Sequence, residues 1–254
     1  MNLLHMNLQA ISSRSIAGRI ARLPLSFIPR ETVVPIFGGR LRGKRWIVGS
    51  AIHRCWLGFY EFEKQRLISS MVKPGTVFYD VGANVGFYSL LASELEGPQG
   101  KVFAFEPLPR NVAYLRRHLE LNRVSNVEIL ELALGEQTGM ASFTPEPSGF
   151  MGRLSDAGCL PVAVARLDDL LEQGRLVPPH SIKMDIEGAE LLALRGAIGC
   201  IQQHRPLIFL ATHGRDVHHA CCHLLKSWEY ECTEFGSVSG DGLGEVVGWP
   251  SRGQ

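Results

Sequence analysis

Residues 77–89 read VFYDVGANVGFYS, an apolar run that ends at Asp80, passes through a glycine-bearing turn and continues into a helical pattern. The stretch describes a nucleotide-binding corner. A buried strand carries the chain to a tight turn, and Gly82 and Gly86 remove side chains where a ligand meets backbone. The helix that follows aims its unpaired N–H groups and positive end at that ligand. The glycines are spaced G-x-x-x-G rather than G-x-G-x-x-G, and the acid stands ahead of them.

Outward from this corner the pattern alternates. Strand-like runs at 76–79, 102–105, 127–130, 181–184 and 207–211 are separated by helical periods at 86–95, 110–121, 167–172, 189–204 and 217–227. An irregular, Gly/Pro/Ser-rich stretch from Glu136 to Leu160 interrupts them. It holds one strand at 141–143, which pairs with 162–165. Two further strands, 230–233 and 245–247, close the chain around a Gly-rich loop. Alternation of this kind predicts a parallel sheet covered on both faces, with ligands beyond the carboxyl ends of its strands. Before the corner lie a basic arm, residues 1–45, and a lead-in strand and helix, 46–75. The domain that binds the nucleotide is expected to run from 76 to 254.

The chain has 254 residues and a net charge of +1, enough length for one large α/β domain with an appendage. Residues 1–45 carry eight Arg or Lys against Glu31 alone, so the rest of the chain is acidic. The arm reads as a loose basic segment, or as an amphipathic one, with Ile11, Ile16, Ile20 and Leu23 on a face, resting on an anionic membrane or a lipid-linked substrate. A transit peptide is a third reading of the same residues. Six cysteines without framework spacing read as reduced thiols, and no run is long and apolar enough to span a bilayer, so a cytoplasmic location is expected.

Chemistry-bearing residues follow the strands. Glu106 ends VFAFEP, where a carboxylate can accept hydrogen bonds from both hydroxyls of a ribose. Two roles are open to Asp80, contact with the ligand's amino-acid portion or bracing of the turn, and Asn84 suits a positive-φ turn position. In IKMDIEGAELLALRGA, Lys183 and Asp185 share one strand face, and Glu187 and Glu190 follow at a helix start, where acids are favoured anyway. A cation inside a buried strand must be paired, so Lys183 is expected to meet an acid near the site. His213, ending LATH, has the ordinary histidine pKa near 6.5 that suits a general base, or it merely caps a turn. The glycine spacing and the leading acid favour S-adenosylmethionine over a nicotinamide dinucleotide. His218–His223 (HHACCH) lacks a second ligand pair of zinc-like spacing, and Asp168 and Asp169 sit at a helix start where acids are favoured anyway, so no metal is predicted.

DVGANVGFYS, FAFEPLPRNVAYLRRHLELN, LDDLL and IKMDIEGAELLALRGA followed by HRPLIF, with WLGFYEFE ahead of them, resemble the FkbM family of S-adenosylmethionine-dependent methyltransferases over residues 55–215. The resemblance implies a Rossmann-like class I methyltransferase fold. Its sheet is mostly parallel and seven-stranded, with helices on both faces and an antiparallel last strand. It implies Asp80, Gly82, Ala83, Asn84 and Gly86 around the methionine portion of the cofactor and Glu106, with Pro107 beside it, at the ribose. Ala133 and Leu134 fall near the adenine, and Asp185 and Glu187 at the transfer site, with Lys183 and His213 beside them as catalytic candidates. Where the family often carries an acid two positions before the histidine, this chain has Ala211.

The expected function is therefore methyl transfer to a hydroxyl of a sugar, glycolipid or other small natural product. The alternative is a methyltransferase-fold scaffold of weak or no activity, for which Ala211 is the main support. A nucleic-acid methyltransferase ranks last, because DIEG stands where a base-methylation motif would lie, so no nucleic-acid partner is expected. Acceptor choice is assigned to the arm and to the loops 144–160 and 236–244.

Overall fold

The computed structural model describes Leu25 and residues 27–145, 152–154, 160–235 and 243–251. The chain enters through β1 (Val33–Pro35) and β2 (Arg45–Ile47), an antiparallel pair, then a 3₁₀ turn at Val48–Ser50, α1 (Arg54–Leu57) and α2 (Phe62–Met71). Alternation follows with β3 (Val77–Val81), α3 (Phe87–Glu96), β4 (Lys101–Phe105), α4 (Pro109–Leu121) and β5 (Val127–Leu130). Next come β6 (Ala133–Leu134), β7 (Gly139–Pro145), β8 (Gly152–Leu154), β9 (Leu160–Ala165) and α5 (Leu167–Glu172). The chain continues with β10 (Ser181–Met184), α6 (Glu190–Arg195), α7 (Ile198–His204), β11 (Leu207–His213), α8 (Arg215–Ser227), β12 (Tyr230–Phe235) and β13 (Leu243–Pro250).

Seven strands form one sheet in the order β12-β13-β11-β10-β3-β4-β5. β11, β10, β3, β4 and β5 are mutually parallel, and β13 runs antiparallel to both of its neighbours. The expected mostly parallel sheet with a reversed last strand is present. Side chains alternate between two cores. Tyr79, Val81, Phe103, Phe105, Met184 and Leu210 pack on one face with residues of α5 to α8, while Phe78, Val102, Ala104 and Phe209 pack on the other with residues of α2, α3 and α4. Among the described residues no helix is long and apolar enough to cross a membrane.

Three expectations change. The boundary at residue 45 falls inside the folded unit, because β1 lies within the basic head and pairs with β2. That ladder is tied to the glycine turn by His118, which is fully buried, stacks on Trp46 at 3.9 Å, accepts from the Ile47 N–H and donates to the Val85 carbonyl. Burial lowers its pKa to about 4, so the ring is neutral and these partners fix its tautomer. The first half of the arm, residues 1–24, lies outside the described residues, as do most of the loops expected to choose the acceptor.

The single helix expected over 189–204 is two, broken at Gly196 and Ala197. Gly196 packs so closely on the Gly135 carbonyl that a Cβ would collide with it. The α7 start is held by Asp168, whose carboxylate accepts from the Gly199 and Cys200 N–H groups at 2.9 and 2.8 Å. Last, the irregular stretch forms its own sheet, ordered β6-β9-β7-β8. The β7–β9 pairing matches expectation; β6 and β8, at two and three residues, are too short to show a period.

Candidate active site

A cavity of about 360 Å³ runs along the carboxyl ends of β10, β3, β4 and β5, within the size range of small-molecule sites. Its wall includes 81–85, Phe87 and Tyr88 from the glycine corner, 105–108 and Asn111 from the end of β4, and 132–134 from beyond β5. Lys183, Asp185, Ile186, Glu187 and Ala189 close the other end, and Ala51, Ile52, Cys55 and Tyr60 of the lead-in segment cover it.

The corner is shaped by protein contacts before any ligand. Gly82 has φ +75°, and a Cβ there would overlap the Asp185 carbonyl; Gly86 has φ +93°, and a Cβ there would overlap Leu115. Both positions are therefore closed to other residues by conformation and by packing together. Asn84 takes the left-handed turn position at φ 51°, as its side chain permits.

Glu106 reaches back to this turn. It is 5% exposed, and one oxygen accepts from the Asn84 N–H at 2.8 Å while the other accepts from the Leu108 N–H at 2.9 Å and the Asn111 amide at 3.3 Å. Burial pushes its carboxyl up, against three donors that favour the ionised form. A carboxylate has about four lone-pair sites, and three are engaged here, so acceptor capacity remains on the oxygen that faces Asn84. That residual capacity in the cavity wall fits a sugar hydroxyl.

Behind the turn lies a buried ion pair. Lys183 and Asp80 are register partners on β10 and β3, both within 3% exposure, with Nζ 3.1 Å from Oδ1. Ser89 donates to the other Asp80 oxygen at 2.7 Å, and Lys183 donates to the Gly82 carbonyl at 2.9 Å. The acid that Lys183 requires is thus Asp80.

The far end of the cavity is an acidic pole with cations set into it. Lys64, on the buried face of α2, lies 2.8 Å from Glu61, 3.5 Å from Asp185 and 2.6 Å from Glu245. Burial works against its charge, but these three carboxylates outweigh burial and keep it protonated. Burial likewise opposes ionisation of Asp185, and Lys64, Lys183 and His213 overcome it, bringing its pKa down to about 2. His213 presents Nδ1 to the fully buried Glu190 at 2.8 Å, and Nε2 lies 3.6 Å from Asp185 and 3.5 Å from Glu187. Burial lowers the His213 pKa, but the Glu190 hydrogen bond and the charges of Asp185 and Glu187 raise it to about 9. Glu245 is held up to about 7 by burial, despite Lys64, with Glu61 and Asp185 adding repulsion.

Most of the sequence candidates converge on this cavity. Gly82, Ala83, Asn84, Glu106, Pro107, Ala133, Leu134, Lys183, Asp185 and Glu187 all line it. Three do not. Asp80 is fully buried and braces the turn through Ser89 and Lys183, so only its bracing role fits. Gly86 caps α3 and packs on Leu115. His213 stands behind Asp185 and Glu187, and at pKa about 9 it is a cation at neutrality instead of the neutral base its ordinary pKa suggests. Asp185, Glu187 and His213 are the one group of metal-type ligands that converges among the described residues, with ligand atoms within 4.8 Å of one another. A protonated His213 already balances part of that negative charge. Asp168 is occupied as a helix cap.

Sequence reading missed Glu61, Lys64 and Glu245. Lys64 stands four residues before buried Ile68, a spacing that puts both on one helix face and marks Lys64 as an inward cation. Glu245 is the register partner of Ala211 across β13 and β11. The acid absent at 211 therefore has a counterpart on the neighbouring strand, on the same face of the sheet.

Sheet order, reversed last strand and cavity position define a Rossmann-like methyltransferase domain. Residues 80–232 match the model of the methyltransferase FkbM domain, and the chain belongs to that family. It is 30% identical over 139 residues to a hexuronic acid methyltransferase, AglP, of Haloferax volcanii, covering 54% of this chain and 56% of that protein. To the 31-O-demethyl-FK506 methyltransferase FkbM of Streptomyces tacrolimicus it is 28% identical over 159 residues, covering 49% and 60%. The chain spans little more than half the length of these relatives. The crystal structure of a methyltransferase FkbM from Methylobacillus flagellatus superposes with a TM-score of 0.51 at 22% identity, over 71% of this chain and 45% of that one, a likeness of fold.

Proposed function

We propose that the chain is an S-adenosylmethionine-dependent O-methyltransferase whose acceptor is a hydroxyl of a sugar, glycolipid or other small natural product. The observation that carries the reading is Asp185, an ionised carboxylate in the cavity wall whose counter-cations stand no closer than 3.5 Å. Contacts that long leave its oxygens able to accept from a further donor. Relatives named as a hexuronic acid methyltransferase and a 31-O-demethyl-FK506 methyltransferase support an oxygen acceptor.

When bound, S-adenosylmethionine supplies a methyl group already activated by its sulfonium. Glu106 would accept from the ribose, the 82–85 turn would hold the methionine portion, and Ala133 and Leu134 would flank the adenine. The work left to the protein is alignment of the acceptor oxygen and removal of one proton. Asp185 holds the acceptor hydroxyl and takes its proton on a side-chain oxygen. A weak base suffices, because the hydroxyl becomes strongly acidic as its oxygen is alkylated. Lys64 and His213 keep Asp185 ionised and fixed, Glu187 faces His213 from the cavity wall, and Glu190 holds the His213 ring. Tyr60 and Cys55 exclude water from the covered end.

The scaffold reading loses its main support, since Glu245 supplies an acid opposite Ala211. Transfer of a labelled methyl group to a panel of hydroxylated glycans and glycolipids tests the proposal. Asp185→Asn is expected to lower kcat by about 10² to 10⁴ with cofactor affinity retained. A wild-type chain that binds S-adenosylmethionine yet labels nothing in the panel, or an Asp185→Asn variant with full kcat, would contradict it.

A further inference from the structure

The lead-in segment that covers the cavity has a second side. Cys55 and Tyr60 face inward, while Phe59 and Phe62 are 41% and 42% exposed. Phe37, 56% exposed, joins them through the chain's own contacts: its ring sits against Trp56 at 5.8 Å, and Gly38 and Gly58 touch backbone to backbone. Ile52, at the cavity rim, is itself 49% exposed. Around these side chains stand exposed Arg40, Arg54 and Arg66. Arg66 lies over the Phe62 ring at 5.9 Å, and Arg40, Phe62 and Arg66 share a shallow groove whose acid is Glu63.

Grouped exposed aromatics mark an interaction surface. Aromatics ringed by arginines, with exposed Glu63 among them and Glu61 engaged by Lys64 and Tyr88, match the boundary of an anionic bilayer, where rings enter the headgroup layer and guanidinium groups meet phosphates. A protein partner of ordinary composition would not call for this one-sided charge. We infer that the face formed by Phe37, Phe59, Phe62, Arg40, Arg54 and Arg66 docks on an anionic phospholipid membrane and brings the adjoining cavity mouth to the lipid surface. The cavity would then meet acceptors carried in the membrane. Docking itself needs no turnover, so it stands or falls separately from methyl transfer.

Flotation of the full-length chain with vesicles tests the inference, comparing phosphatidylcholine alone with mixtures holding about a third phosphatidylglycerol. Expected is binding to the anionic vesicles that weakens as salt rises, since the Debye length shrinks to about 8 Å at physiological strength. Phe37→Ser/Phe59→Ser/Phe62→Ser should bind about tenfold more weakly. Arg40→Glu/Arg66→Glu should weaken binding and flatten its salt dependence. Circular dichroism of both variants should match the wild type, because all five side chains are exposed. Three results would overturn the inference: no wild-type binding at low salt, a triple variant that floats like the wild type, or a wild-type dimer in light scattering that the triple substitution converts to monomer.

Discussion

The two ends of the cavity are built by opposite means. At the ribose end, the turn, Glu106, Leu108 and Asn111 lie within thirty residues of one another and are joined by two backbone N–H donors and the Asn111 side-chain amide to a single carboxylate. At the acidic end, Glu61 and Lys64 come from the N-cap and first turn of α2, Lys183 and Asp185 from β10 and its end, Glu190 from α6, His213 from β11 and Glu245 from β13. Backbone fixes the first end, so it can serve one unchanging ligand. Long side chains fix the second, where the balance of charge rests on cations shared among carboxylates. A local site survives small changes elsewhere; a shared one fails as a unit.

The largest expected failure is therefore at Lys64. Lys64→Met leaves Glu61, Asp185 and Glu245 together without their common cation, and breaking such a buried pair costs about 3–5 kcal/mol. Urea denaturation should show that loss, and Glu245→Gln added to Lys64→Met should recover part of it. Full additivity of the two substitutions would mean that the acidic end is not one network.

Next in size is the pH dependence of turnover. With His213 a cation up to a pKa of about 9, kcat/KM should hold steady between pH 6 and 8 and fall several-fold above 9, as Asp185 and Glu187 lose their counter-charge. A rate that climbs through pH 9 would instead make neutral His213 the base. The two readings have opposite slopes.

The smallest effect is on stability near neutrality. The folded pKa of Glu245, about 7, lies above its ordinary value of 4.5. Its contribution is fully present below pH 4.5 and is lost as pH rises through 7. Glu245→Gln should remove that loss, so its Tm advantage over the wild type should grow by a few degrees from pH 5 to 8. A constant difference across that range would place the charge strain elsewhere.

The same contrast explains what the sequence made legible. VFYDVGANVGFYS and VFAFEP place their strands, turn and carboxylate by local pattern, and the structure brings Gly82, Asn84 and Glu106 to one wall. Asp185 and Glu187 were legible for the same reason, since they directly follow a strand. Lys64, Glu61 and Glu245 were not, because their roles arise from packing between elements far apart in the chain, and only register reveals that Glu245 faces Ala211. Asp80 was misplaced in part because an acid at a strand end reads alike whether it meets a ligand or a buried lysine. His213 was legible in position, but its pKa depends on three carboxylates, two beyond β10 and one in α6.

Calorimetric titration with S-adenosylmethionine tests the division of the cavity most directly. Wild-type chain should bind; Glu106→Ala, which removes the acceptor for the ribose, should bind about a hundredfold more weakly; and Asp185→Asn should bind about as well as the wild type. Equal binding by Glu106→Ala, or loss of binding confined to Asp185→Asn, would contradict the assignment of the cofactor to the ribose end and of the chemistry to the acidic one.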